Sequence, residues 1–202
     1  MKYDPQKAGC LCAACPLNGE SPVPPEGPLD AEYVIISESP GFWEVKKNRP
    51  MVGPAGIQFD DILYYSEIKR DRCWLSSAIL CRPEVPGLDG RVKYETKRYM
   101  AWIRSENAKR KKAAKLANER FEPIPSPFEC CAPRLWAELG HFENVARQRG
   151  QPNGAVVLPL GNYALHTITG KSGILKLRGS PIPIDMNDPY ATRDQLGRTA
   201  KT

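Results

Sequence analysis

The sequence predicts an α/β protein, specifically a three-layer α/β/α sandwich with a mostly parallel central sheet and a long, basic helical insertion. Two observations predict this class. Short, apolar, β-branched runs alternate along the chain with segments of helical character, which is the order of βαβ units. The chain has 202 residues, of which 41% are hydrophobic, so it can bury a core without disulfide staples.

Three apolar runs predict the strands of the sheet. They are residues 32–37 (EYVIIS), 73–81 (CWLSSAILC) and 154–160 (GAVVLPL). Strands of a parallel sheet are covered on both faces, so they appear in a sequence as nearly continuous apolar runs. A further extended piece is predicted at 180–185 (SPIPID).

Helices are predicted at 53–68, 93–121, from 128 onward, and at 162–169. The second of these is rich in Ala, Lys, Arg and Glu and lacks Gly and Pro, so it is predicted to form one long helix. Its apolar residues are sparse, and we therefore expect it on the surface. It would belong to an insertion at about 86–127 within a domain spanning 1–185, followed by a polar tail at 186–202.

Positive charge is concentrated in the long helix. The chain carries a net charge of +6, but the segment from Arg91 to Arg120 contains 11 Lys and Arg against three Glu, and the remainder is slightly acidic. Such a stripe is typical of proteins that bind a phosphate backbone. A solvated helix would have the same composition, so charge alone leaves both interpretations open.

The expected cellular compartment decides how the cysteines are interpreted. No apolar run approaches the roughly 20 residues that span a bilayer, and the N-terminus lacks a signal-peptide core, so we expect a cytoplasmic protein. Disulfides do not persist in a reducing compartment. The seven cysteines are therefore predicted to include metal ligands or catalytic thiols.

A C-x-x-C pair, Cys12 and Cys15, can place two thiolates on the same side of a tight turn, and Cys10 precedes it. The candidates for the other ligands lie at a predicted strand end and a predicted helix start: Cys81, Cys130 and Cys131. Four thiolates suit zinc or an iron-sulfur cluster. The alternative is that several of these cysteines, and Cys73, are small core residues.

Several segments, in order, resemble the iron-sulfur (type 4) uracil-DNA glycosylases, and especially the related domains found with phage DNA polymerases. They are CAACPL, SESPGFWEVKKNRPMVGPAG, SSAILCRPE, SPFECCAPRL, LPLGNYAL and GILKLRG. The resemblance runs through most of the chain. One such match would be weak, whereas the ordered set is specific.

The resemblance implies a [4Fe-4S] cluster, with zinc as the less favoured metal, and four ligands: Cys12, Cys15, Cys81 and Cys131. Cys131 is preferred over Cys130 because the final ligand of the family is followed by x-P-x-L, which here is residues 132–135. Cys10 and Cys130 stay open as substitutes.

The resemblance also implies a DNA glycosylase site. Hydrolysis of the N-glycosidic bond requires a pocket for an extruded base and stabilisation of positive charge on the sugar. Glu38 and Glu44 match the two acidic loop positions of the family and are the catalytic candidates, one near the attacking water and one near the base. The candidate base-pocket residues are Ser39, Pro40, Gly41, Met51 and Ser77.

Three positions depart from the family pattern. Met51 stands where the family has a base-stacking Phe, and Ser77 stands where it has a base-reading Asn. The later motif containing a His has no counterpart after Arg178. We expect the two histidines, His141 and His166, to be structural or surface residues.

The predicted function is therefore a DNA glycosylase hydrolase acting on uracil or another altered base. The alternatives are a catalytically impaired iron-sulfur DNA-binding module associated with phage replication, and a zinc-bound structural protein. Expected partners are DNA, including single-stranded DNA, and a replication polymerase. We expect a monomer in the cytoplasm, which for a phage protein is that of the bacterial host. The candidate DNA-contacting residues are Arg104, Lys109, Arg110, Lys111, Lys112 and Arg178.

Overall fold

A parallel three-stranded sheet forms the centre of the computed structural model, which describes residues 3–85, 96–184 and 186. Strands β1 (Tyr33–Ser37), β2 (Cys73–Ser77) and β3 (Val156–Leu160) lie in the order β2-β1-β3. Ser37 is paired with Ser77 and with Leu160, so all three strands end at the same edge. The predicted α/β class is confirmed.

Six α-helices accompany the sheet in the described part of the chain. They are α1 (Phe42–Lys47), α2 (Pro54–Tyr65), α3 (Thr96–Ala117), α4 (Pro127–Gln148), α5 (Asn162–Thr169) and α6 (Ile174–Leu177). The sequence did not predict α1 and α6, which are too short for a periodic pattern. None of the helices in these described ranges is long and apolar enough to cross a membrane.

The two faces of the sheet contact different helices. Side chains alternate along a strand, so Val34 and Ile36 belong to a large core that includes residues of α3, α4 and α5, whereas Ile35 belongs to a smaller core with Phe59 and Leu63 of α2. Helices therefore cover both faces. This arrangement is the predicted α/β/α sandwich.

Two of the predicted extended segments differ from the structure by more than two residues. The strand predicted to reach residue 81 ends at Ser77, level with the end of its partner strand β1 at Ser37. Residues 180–184 of the predicted last extended piece form no strand, and Asp185 lies outside the described residues. Pro181 and Pro183 have no N–H to donate to a ladder, which accounts for the missing strand.

The prediction that the basic helix lies on the surface holds for only part of the helix. Thr96, Tyr99, Met100 and Ile103 are buried, and the last three belong to the large core. Their spacing of three and four residues forms one stripe along the first two turns of α3, so few apolar residues suffice to bury this half. Only the half that begins at Arg104 is mostly exposed. Residues 86–95 of the predicted insertion lie outside the described residues.

The N-terminal arm runs along the free side of β2. Its Val23 N–H donates to the Leu80 carbonyl at 2.8 Å, and Glu26 exchanges backbone hydrogen bonds with Leu75 at 2.9 and 2.7 Å. Near its start, the Leu11 N–H donates to the Cys130 carbonyl at 2.8 Å. The arm thereby brings its cysteines to the end of β2 and the start of α4.

A buried arginine joins α4 to the end of β2. The Arg134 side chain is only 1% exposed and forms an ion pair with Glu138 at 3.0 Å. It also donates to the Ser76 hydroxyl at 2.9 Å and to the carbonyls of Ser77 and Ala78 at 2.7 and 3.3 Å. A buried charge is tolerated only when its partners replace the lost water. The three acceptors at residues 76–78 therefore tie α4 to the end of β2.

We predict that Arg134→Ala lowers the free energy of unfolding by about 3 kcal/mol, because it leaves buried acceptors and a carboxylate without their donor. Arg147→Ala is the matched control, since Arg147 forms an i,i+4 pair with Glu143 on the same helix but is 70% exposed. It should cost less than about 0.5 kcal/mol. Urea unfolding of both variants measures the difference, and equal losses would contradict the role given to Arg134.

Candidate active site and cysteine cavity

The ends of β1 and β2 form the floor of the candidate active site. The hydroxyls of Ser37 and Ser77 are 2.7 Å apart, and the Ile79 N–H donates to the Glu38 carbonyl at 3.2 Å. Ligands of parallel α/β sheets bind at this carboxyl edge. The structure thus places two sequence-predicted residues, Glu38 and Ser77, at the end of neighbouring strands.

The Glu38 carboxylate faces the start of α5. Its Oε1 accepts a hydrogen bond from the Tyr163 N–H at 3.0 Å. Burial raises the pKa of the Glu38 carboxyl above its ordinary value, and the backbone N–H groups of Tyr163 and Asn162 offset part of that rise. A half-buried carboxyl with a raised pKa is suited to proton transfer.

Gly161 is a site residue that the sequence analysis did not single out. Its φ is +104°, and a Cβ at this position would lie 2.4 Å from Glu38 Oε1. Any other residue would therefore displace the carboxylate. The glycine of the LGN segment between β3 and α5 was the available signal.

Glu44 organises the loop that surrounds α1. Its carboxylate accepts backbone N–H groups from Gly41 at 3.0 Å, Val52 at 2.9 Å and Gly53 at 2.6 Å. Both carboxylate oxygens therefore accept hydrogen bonds from the backbone of the chain. This geometry makes Glu44 a positioning residue that joins the start of α1 to the start of α2.

The other predicted base-pocket residues are mostly enclosed. Met51 is buried in the smaller core, with a φ of 53°, and its carbonyl accepts a hydrogen bond from Arg70 at 3.1 Å. Pro40 is fully buried, and the Ser39 hydroxyl lies 3.1 Å from the Thr96 hydroxyl of α3. The loop between β1 and α1, residues 38–41 (the β1 loop), therefore contacts the start of the basic helix.

Six of the seven cysteines line one cavity of about 170 Å³ beside the carboxyl edge: Cys10, Cys12, Cys15, Cys81, Cys130 and Cys131. All are free thiols. Cys73 lies elsewhere, in the smaller core, with its thiol 3.6 Å from the Lys69 carbonyl. The four predicted ligands are thus brought together, along with the two proposed substitutes.

Neighbouring thiols shift one another's pKa in this cavity. The sulfur atoms of Cys10 and Cys131 are 3.9 Å apart. A hydrogen bond from Cys10 and the nearby charge of Arg134 lower the pKa of Cys131 to about 6, against the opposing effect of burial. A hydrogen bond from Cys130 lowers the pKa of Cys15. The thiolate is the form that binds metals.

The donor set consists of thiols, which iron-sulfur clusters and zinc both accept. Within the described ranges, no group of three or more His, Cys, Asp or Glu side chains is arranged to hold one metal ion. The cavity is lined by thiols from three separate segments, and thiolates are the ligands of iron-sulfur clusters. The residues present therefore fit the expected cofactor.

The predicted phosphate-contacting residues are exposed. Arg104, Arg110, Lys111 and Lys112 lie on the outer half of α3, and Arg178 ends α6. Lys109 differs because it pairs with Glu106 at 2.7 Å. The structure therefore presents most of the predicted cations to solvent.

Both histidines contact residues outside the β1 loop. His141 Nε2 lies 2.7 Å from the Leu29 carbonyl, and His166 Nδ1 lies 3.4 Å from the Ser172 hydroxyl. These contacts agree with the structural or surface roles expected for them.

Comparison with known families identifies the superfamily of this chain. The sequence profile of the uracil DNA glycosylase superfamily matches residues 24–191, which include the sheet and the β1 loop. The chain therefore belongs to the uracil DNA glycosylase superfamily.

Individual relatives are similar to a shorter part of the chain. The type-4 uracil-DNA glycosylase of Thermotoga maritima is 40% identical over 74 residues, which are 36% of this chain and 38% of that protein. Type-4 uracil-DNA glycosylases of Pyrobaculum aerophilum and Archaeoglobus fulgidus are each 32% identical over 74 residues. The alignments cover 36% of this chain and 37–38% of these relatives.

We predict that Glu38→Gln stabilises the protein at neutral pH but not at acid pH. A carboxyl whose folded pKa is raised contributes stability below its ordinary value of 4.5, and that contribution is lost as the pH rises through the raised value. Glutamine cannot ionise, yet it keeps an acceptor for the Tyr163 N–H.

Unfolding by urea at about pH 4 and about pH 7.5 measures this difference between the wild type and the variant. Exposed Glu122→Gln is the control for the loss of one negative charge. An equal loss of stability at both pH values in Glu38→Gln would show that the carboxylate is not disfavoured in the folded state.

Proposed function

We propose that the protein is a DNA glycosylase that hydrolyses the N-glycosidic bond of uracil or another altered base. The observation that carries the proposal is the half-buried Glu38 carboxyl, which lies at the carboxyl edge of the sheet and contacts the start of α5. Membership of the superfamily supports it. The names of the type-4 relatives support uracil as the base, although their alignments cover little more than a third of each protein.

The proposed chemistry needs few groups. Cleavage of the bond develops positive charge on the sugar and negative charge on the departing base. Glu38 in its ionised form positions water and offsets the positive charge, and its raised pKa lets it accept the water proton. Glu44 holds the loop in shape. Ser77 is only 4% exposed and its hydroxyl contacts that of Ser37, so it would have to reach the base edge from the floor of the pocket.

We propose that Cys12, Cys15, Cys81 and Cys131 hold a [4Fe-4S] cluster. When bound, the cluster would cross-link the N-terminal arm, the segment after β2 and the start of α4. The shared cavity supports this ligand set, and the resemblance to the iron-sulfur glycosylases favours a cluster over zinc. Cys10 and Cys130 then serve as neighbouring thiols.

DNA binding is proposed for the outer half of α3. The helix begins beside the β1 loop through the contact between Thr96 and Ser39, so its row of cations leads away from the candidate site. Arg104, Arg110, Lys111 and Lys112 would contact phosphates, with Arg178 as a further contact. Lys109 contributes less because Glu106 neutralises it.

A second candidate function is a DNA-binding module without catalysis. Two observations favour it: Met51 is packed in the core, and Ser77 offers a hydroxyl where the family has an amide. Association with a phage replication polymerase, a monomeric state and a cytoplasmic location stay predictions from the sequence.

Incubation with uracil-containing oligonucleotides separates the two functions. We predict alkali-labile abasic sites on single- or double-stranded substrate with the wild type, and a loss of at least about a hundredfold in rate for Glu38→Gln, because general base catalysis contributes about that much. Glu122→Gln should retain the full rate. No abasic sites on any substrate, with folded, cluster-loaded protein, would leave the binding-module function.

Single Cys→Ser variants test the cluster. We predict that the anaerobically reconstituted wild type is brown, with broad absorption near about 400 nm, and contains iron and sulfide in equal amounts. Serine at position 12, 15, 81 or 131 should lower the iron content severely, whereas Cys73→Ser, outside the cavity, should not. Stoichiometric zinc in a colourless wild-type protein would contradict the cluster, and loss of iron in Cys10→Ser with retention in Cys131→Ser would change the ligand set.

A further inference from the structure

Two adjacent aromatic rings at the start of α1 are exposed to solvent. Phe42 is 55% exposed and Trp43 is 42% exposed. Their ring centroids are 5.4 Å apart, with the planes at 81°. The loop is held in shape by Glu44, so these rings are not needed to fold it. Exposed rings at a fixed position are more typical of a binding surface than of a core.

Each ring has a cation over it. Lys46 Nζ lies 5.2 Å from the centroid of Trp43, and Arg82 Cζ lies 5.8 Å from the centroid of Phe42. Arg82 also forms an ion pair with Glu84 at 2.6 Å, so Lys46 supplies most of the positive charge available to a ligand. The cations come from two different segments, since Lys46 belongs to α1 and Arg82 directly follows Cys81. Aromatic faces interleaved with positive charge are the usual composition of surfaces that bind single-stranded nucleic acid.

The aromatic pair lies close to the candidate site. Phe42 is four residues after Glu38, so their Cα atoms are separated by at most about 14 Å. Gly41, directly before the pair, is fixed by its hydrogen bond to Glu44 at 3.0 Å. The rings are therefore held at a defined position relative to Glu38.

We propose that Phe42 and Trp43 form a stacking surface for the bases next to the extruded nucleotide in single-stranded DNA, with Lys46 near its phosphates. The inference rests on the proposed function for the position of that nucleotide. Single-stranded DNA is the occupant because its bases have free faces to stack on the rings, whereas the faces of bases in a duplex are already stacked. The positive charge beside the rings complements its phosphates.

The α2 helix offers a matched control. Tyr64 and Tyr65 are also adjacent and are 79% and 84% exposed, with ring centroids 5.6 Å apart at 74°. Within the part of the chain that the structure describes, neither ring has a cation over it. Removal of this pair takes away the same kind of exposed aromatic surface at a different place.

The experiment measures binding of the cluster-loaded protein to a fluorescent, uracil-free single-stranded oligonucleotide over a range of salt concentrations. Phe42→Ala/Trp43→Ala should bind at least about tenfold more weakly, because base stacking is worth 1–3 kcal/mol per base. Its salt dependence should stay that of the wild type. Phe42→Tyr/Trp43→Phe, which keeps both rings, should bind nearly as well as the wild type.

Two comparison variants separate stacking from charge and from general surface effects. Lys111→Glu/Lys112→Glu should weaken binding and reduce its salt dependence, since fewer counterions are released. Tyr64→Ala/Tyr65→Ala should bind as the wild type does. Equal loss in both alanine pairs, or no loss in Phe42→Ala/Trp43→Ala, would overturn the stacking surface.

The binding assay needs no chemistry, so its result is independent of glycosylase activity. Stacking without base release would contradict only the catalytic proposal, and base release with unchanged binding in Phe42→Ala/Trp43→Ala would contradict only the stacking surface. Light scattering adds a further check. A wild-type dimer that becomes a monomer in Phe42→Ala/Trp43→Ala would assign the rings to a contact between copies and overturn the proposal.

Discussion

The architecture depends on one buried charge. Arg134 has almost no exposed surface, yet its guanidinium reaches Glu138 on its own helix and three acceptors at the end of β2. A charge in this position is stable only if these acceptors stay in place. The end of β2 and the start of α4 are therefore held together. Arg134 also follows Cys131 by three residues on α4, and its charge lowers the pKa of that thiol.

Because of this constraint, the cysteine cavity and the candidate active site share one backbone segment. Residues 77–81 start with Ser77, whose hydroxyl contacts Ser37 at the sheet edge, and end with Cys81 in the cavity wall. Between them, the Ile79 N–H donates to the Glu38 carbonyl. A group bound among the thiols would thus stabilise the same backbone that supports the β1 loop. A group held there would act on the candidate site through the position of this segment.

The sequence predicted the parts of the fold that local chemistry specifies. The β1 run and the bounds of α5 follow from apolar patterning and a glycine before the helix, and four ordered cysteines pointed to the cavity. Local patterns could not show that α3 buries a narrow stripe around Tyr99, because burial depends on what lies opposite. Arg134 was likewise hidden, since a lone arginine in a helix is usually exposed. The choice between Cys130 and Cys131 is also a tertiary matter, because both line the cavity.

Hydrogen exchange of the Ala78 and Ile79 amides tests the central claim most directly. These two N–H groups donate to Ser37 and Glu38, so they report whether the segment between site and cavity is held in place. The account predicts that loading the cluster slows their exchange together with that of the Arg134 region, relative to metal-free protein. Identical exchange in the loaded and metal-free protein would show that the cavity and the active site are independent.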